Sequence, residues 1–138
     1  QGAGFDAGQR LVVYGWGNRS GREDRRNYPR DLHRGEVTAL ADTRCNALYG
    51  RMFNPAAQLC AGSDDGAGDA CSGDSGGPLV ARRPDGRGLL VGIVSYGEGC
   101  GEPEFPGVYA RVGRYRSWLA ETISSAGRPR GAMRVPRR

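Results

Sequence analysis

Apolar residues in this chain fall in short runs closed by Gly, Pro or Asp, the punctuation of strands and turns. Arg10 to Tyr14 reads as a strand, and Gly35 to Leu40 alternates as a half-buried strand would. Gln58 to Ala61 is a further short strand. Pro78 to Arg82 and Leu89 to Tyr96 read as two more, joined by a turn at Pro84-Asp-Gly86, and Gly107 to Val112 as the last. The period changes in two places. Asp42 is a good N-cap for a short helix over Thr43 to Leu48 with Gly50 able to end it. Tyr115, Trp118, Leu119 and Ile123 recur at helical spacing, predicting an amphipathic C-terminal helix that Gly127 ends.

Composition agrees. With 24 glycines and 38% hydrophobic residues in a chain of 138, a loop-rich all-β domain fits better than a helical bundle. The organisation is a Gly/Ala-rich linker over 1–9, a single domain over 10–126 and a basic, disordered tail over 127–138. There is no internal repeat. The net charge of +5 has much of its excess in Arg19 to Arg34 and in the tail. Without interleaved aromatics or a nucleic-acid fold signature, neither nucleic acid nor membrane is expected as a partner. Asn18 to Arg30 holds five arginines and no hydrophobic period, so it reads as a mobile surface loop.

Candidate chemistry sits in Asp69-Ala-Cys-Ser-Gly-Asp-Ser-Gly-Gly-Pro-Leu79. Glycines around a serine permit positive φ and close approach to the main chain. Such a turn can aim Ser75 Oγ outward while the N–H groups of Gly73 and Ser75 converge on one spot, as an oxyanion requires. A solvated Gly-rich turn is the bland alternative. The nucleophile elbow of α/β-hydrolases needs a strand before the serine and a helix after it, whereas here a loop precedes and a strand follows.

The longer string resembles the nucleophile signature of the chymotrypsin/trypsin family of serine endopeptidases, Gly73-Asp-Ser-Gly-Gly-Pro78, and Gly15-Trp-Gly17 resembles the entry to that family's second barrel. The resemblance covers about Gly15 to Ile123 and implies a six-stranded antiparallel β-barrel with a short helix and a C-terminal helix. It implies Ser75 as nucleophile and the N–H groups of Gly73 and Ser75 as the oxyanion hole. Asp69, six residues before the serine, would form the floor of a pocket for Arg or Lys. Gly97 and Gly107 would be the walls, and Ser95-Tyr-Gly97 would pair with substrate backbone, with Tyr96 where many relatives carry Trp. Leu11 and Ala81 stand where many relatives have a disulfide. Asp74 matches the acid that pairs with an N-terminal ammonium released on activation. The chain starts at Gln1 in the inter-barrel linker, so Asp74 is expected to lack that partner and to distort its loop.

Four cysteines, Cys45, Cys60, Cys71 and Cys100, allow three pairings. The resemblance selects Cys45–Cys60 and Cys71–Cys100. Disulfides place the protein in an oxidising, secreted setting. No Cys-X-X-Cys exists and His33 is the only histidine, so neither a metal nor a cofactor is expected. Asp64 and Asp65 lack the spaced ligands calcium needs.

The family's general base and its orienting acid come from a first barrel that this chain does not contain. His33 lies outside any His motif and reads as an exposed strand-edge residue. The expectation is the specificity-and-nucleophile half of a trypsin-like endopeptidase, inactive alone, with a missing N-terminal barrel as partner. The barrel face that meets that partner would be left as an apolar patch. The alternative is a non-catalytic protease-derived binding module.

Overall fold

In the computed structural model, residues 5–22 and 25–126 are described. The strands are β1 (Arg10–Gly15), β2 (His33–Ala39), β3 (Gln58–Gly62), β4 (Pro78–Arg82), β5 (Gly88–Tyr96) and β6 (Gly107–Arg111). They close into one barrel in the order β1-β2-β3-β6-β5-β4, every neighbouring pair antiparallel. Closure leaves no free sheet edge to pair with another chain. Inward positions supply the core, including Leu11, Val37, Leu59, Leu79, Val91 and Tyr109. Leu11 and Ala81 are cross-strand partners, both fully buried, so apolar contact fills that site.

A second, smaller core lies outside the barrel wall. Outward-facing Cys60 and Val108 pack with Cys45, Tyr49 and Phe53 beneath helix α1 (Asp42–Tyr49). The Cys45–Cys60 disulfide ties that helix to β3. Gly50, at φ 54°, ends the helix as expected. The N-terminal capping differs from expectation. Ala41 occupies the cap without a side-chain bond, and Asp42 lies in the first turn. Its carboxylate is taken instead by the buried Arg111 guanidinium, whose Nε also donates to the Gln58 carbonyl at 2.8 Å.

The C-terminal helix α2 (Arg116–Ala126) forms where the spacing predicts it, but buries none of its side chains. Trp118 and Ile123 are 61% and 70% exposed. Six strands already seal the barrel, so the apolar stripe of α2 finds no core to enter. Trp16, at 54% exposure, is likewise uncovered.

The N-terminal segment read as a linker lies against the barrel from residue 5 onward. Phe5 packs on the core beneath Arg111, and Gly8 N–H donates to the Ala39 carbonyl at 2.8 Å. The arginine-rich loop is tied at its base. Asn18 is buried, its N–H donates to the Ser72 carbonyl at 2.8 Å, and its side-chain oxygen accepts from Ser20 N–H. The tail over 127–138 lies outside the described residues.

Candidate active site

The loop between Cys71 and β4 is built from successive tight turns. Asp74 N–H donates to the Cys71 carbonyl, and Gly77 N–H to the Asp74 carbonyl. Gly76 N–H reaches the Val94 carbonyl at 2.9 Å, and Val94 N–H returns to Gly77 at 2.9 Å, which fixes the loop to β5. Gly73 sits at φ 97°, where a side chain would be strained. Ser75 is exposed, and among the described residues neither its N–H nor that of Gly73 is given to a protein acceptor. Two donors beside an exposed hydroxyl are thus left for a ligand.

Asp74 is not left unpaired. Its Oδ1 accepts from Gly17 N–H at 2.7 Å and its Oδ2 from Cys71 N–H at 3.0 Å. The Gly-Trp-Gly string makes this possible. A Cβ at Gly15 would lie 1.9 Å from Asp74 Oδ1, and one at Gly17 2.2 Å from Oδ2. Sequence reasoning had assigned those glycines only to the start of the barrel. The carboxylate fills the space they leave, and the loop keeps its turns.

A cavity of about 200 Å³ opens beside Ser75, lined also by Ser95, Gly97, Gly107 and Tyr109, with Cys71 and Cys100 at its rim. Those two cysteines are disulfide-bonded. A bulge in β5 makes the Ser95 wall. The pairing runs from Val94↔Tyr109 to Tyr96↔Val108, so Ser95 is the extra, exposed residue. Gly97 and Gly107 face each other, a Cβ at Gly97 lying 3.8 Å from Gly107 Cα.

Asp69 stands behind Gly107. A Cβ at Gly107 would come within 2.9 Å of Asp69 Oδ1 and 3.1 Å of Tyr109 Oη. A glycine at 107 keeps the space between the cavity wall and the carboxylate free of a side chain. Burial pushes the Asp69 carboxyl up to about 6, against the opposing pull of backbone N–H groups at Ala70, Gly101 and Gly107, and the Asp74 charge adds to the rise. Ala70 N–H donates to it at 2.8 Å. Tyr109 Oη is buried with no hydrogen-bond partner. Burial, then the Asp69 and Asp74 charges, hold that phenol protonated. An under-compensated carboxyl and an orphaned hydroxyl therefore lie together behind Gly107, at the wall of the Ser75 cavity. Tyr109 reads in sequence as an ordinary core residue of a strand, and its hydroxyl gave no signal.

A larger cavity of about 460 Å³ lies on the other side of Asp69, which shares its wall with Asp74, Gly15, Gly17 and His33. His33 opens β2 as an exposed residue opposite Gly15 and does not line the Ser75 cavity. Tyr28 is a further contact that the sequence reading passed over, since a Cβ at Gly73 would lie 2.9 Å from its Cε1. Asp65 accepts from Ala67 N–H within its own loop. Among the described residues no group of acidic, His or Cys side chains could hold a metal ion, and no helix is long and apolar enough to cross a membrane.

A closed six-stranded barrel carrying an exposed serine in a glycine-rich loop beside a cavity defines a class, the serine hydrolases built on antiparallel barrels. A family model described as Trypsin matches residues 1–119, and the chain belongs to that family of serine proteases. Over 125 residues it is 43% identical to transmembrane protease serine 9 of Rattus norvegicus, covering 91% of this chain and 12% of that one. Trypsin-3 of Salmo salar is 42% identical, with 86% of this chain and 47% of the relative covered. Among solved structures, neuropsin, a serine protease expressed in the limbic system of mouse brain, superposes with a TM-score of 0.74. It is 40% identical, and the match covers 86% of this chain and 49% of that one. The chain thus spans about half of the shorter relatives and far less of the longer ones.

Proposed function

We propose that this chain supplies the nucleophile and the specificity pocket of an endopeptidase that cleaves after Arg or Lys. Ser75 Oγ attacks the scissile carbonyl, and the oxygen that becomes negative is received by the N–H groups of Gly73 and Ser75. Ser95 to Gly97 holds the substrate backbone as an added strand. Asp74, braced by Gly17 and Cys71, keeps the donor loop in shape and is the acid available to an activating ammonium. The observation that carries the reading is Asp69. A half-buried carboxyl with a raised pKa, lying behind Gly107 and beside an orphaned Tyr109 hydroxyl, is best satisfied by a cation with several N–H donors.

Attack by Ser75 also needs a group to take its proton. His33, the only histidine, does not line the Ser75 cavity, so among the described residues no imidazole stands there to take that proton. The proteins it resembles are longer, and a barrel carrying the base is the partner this site calls for. The disulfides suit work in an oxidising, extracellular setting.

The test is binding and turnover on the same sample. Benzamidine, an aromatic amidinium, is expected to bind the chain, and Asp69→Ser to weaken it by at least about thirtyfold, the lower end of the cost of breaking a desolvated charge pair. Hydrolysis of an Arg amide is expected to stay near background. No benzamidine binding would remove the pocket assignment. Turnover abolished by Ser75→Ala would overturn the claim that the base lies outside this chain.

A further inference from the structure

We infer that Glu98 and Glu102 extend the pocket outward and select substrates carrying a second basic residue shortly before the one that enters it. The inference rests on the Arg/Lys reading above. Gly99 lines the Ser75 cavity at φ 74°, and a Cβ built there would meet Glu102 Cγ at 2.8 Å and Oε1 at 3.5 Å. The Glu102 side chain therefore lies along Gly99, with its carboxylate at the cavity's edge. Glu98 is the residue between Gly97 and Gly99, both of which line that cavity.

Both glutamates are exposed, and among the described residues neither carboxylate has an ion-pair or side-chain hydrogen-bond partner. The surroundings do not neutralise them. The segments 57–81 and 88–110, within which all the cavity's lining residues fall, contain seven acidic residues and no Lys or Arg, in a chain whose net charge is +5. No cation within those segments offsets Glu98 and Glu102.

Strand geometry says which substrate position feels it. A peptide added antiparallel along Ser95 to Gly97 places its pocket-bound residue near Ser95. The residue about two positions earlier then lies beside Gly97, and the one before that runs past Glu98. A long Arg or Lys at either position reaches the Gly99 edge, where the carboxylates of Glu98 and Glu102 stand. An acidic residue there meets like charge. The pairs are solvent-exposed, so each is worth at most about a fivefold change in affinity.

The experiment measures affinities of non-covalent ligands for the 138-residue chain by calorimetry at low salt. The ligands are acetyl-Arg-Gly-agmatine, acetyl-Gly-Gly-agmatine, acetyl-Glu-Gly-agmatine and benzamidine. Expected is an order Arg, then Gly, then Glu, with about fivefold between neighbours, compressed at high salt. Glu98→Gln with Glu102→Gln should collapse the order while leaving benzamidine affinity within about twofold, because both carboxylates are exposed and neither residue lines the cavity. A chain that binds benzamidine but treats the three peptides alike would overturn the rim assignment alone. A chain that does not bind benzamidine would overturn the pocket reading and the rim with it.

Discussion

Replacing Asp69 by Asn separates what this carboxyl does for binding from what it does to stability. In an unfolded chain an aspartate ionises near pH 4. In the folded chain burial holds Asp69 protonated until about pH 6. Between those values folding takes up a proton, so the group's favourable contribution is complete below about pH 4 and is lost as pH rises through about 6. A difference of about two pH units corresponds to roughly 3 kcal/mol of lost stability at neutral pH. Asparagine carries no charge and escapes that loss. The stability of Asp69→Asn relative to the parent should therefore rise by roughly 2–3 kcal/mol between about pH 4 and pH 7.5, whatever fixed offset the amide introduces against the N–H groups of Ala70, Gly101 and Gly107. Urea denaturation of both proteins at a series of pH values reads this directly. A relative stability that stays flat with pH, or falls, would refute the account of Asp69 as a carboxyl held in deficit.

Two further outcomes test how the site is built. Gly17→Ala puts a methyl group where the Asp74 carboxylate lies, 2.2 Å from Oδ2, so the carboxylate must leave its two N–H donors. We expect a loss of about 2–4 kcal/mol by urea denaturation, and a change under about 0.5 kcal/mol would contradict the close packing. Arg111→Met removes the donor to Gln58 and the partner of Asp42, whose side chain is 43% exposed and can rehydrate. A loss of about 1–2 kcal/mol is expected, with hydrogen exchange rising first at the start of α1, and uniform exchange would place the effect elsewhere.

The strands were readable because each is a local apolar run with a turn signal at either end, and all six lie within a residue or two of the predicted spans. Asp42 shows where local reading stops. Its sequence position suits a cap, but Arg111, at the end of a strand far along the chain, takes its carboxylate. The stripe on α2 was legible as a period, yet no period tells whether a surface exists to bury it. At the site, the serine loop announces itself through its glycines. Gly15, Gly17 and Tyr109 do not, because their contribution is a distance to residues 57 or more positions away or a hydroxyl without a partner. Such features depend on closure of the barrel, not on neighbours in the chain.

The two acids of the serine loop illustrate opposite solutions to one electrostatic problem. Asp74 is given donors on both oxygens, and two glycines are spent on making room for it. Asp69, five residues earlier, also has backbone donors, yet burial outweighs them and its carboxyl stays reluctant to ionise. A structure that satisfied Asp69 as fully as Asp74 would be more stable near neutral pH and would have little left to offer a cation. Under the proposed specificity, the deficit at Asp69 is a reserve of binding free energy, because a guanidinium or ammonium that arrives with its own charge removes the penalty that folding left standing. On this argument affinity for a cationic ligand and stability of the empty pocket must oppose each other at this one position.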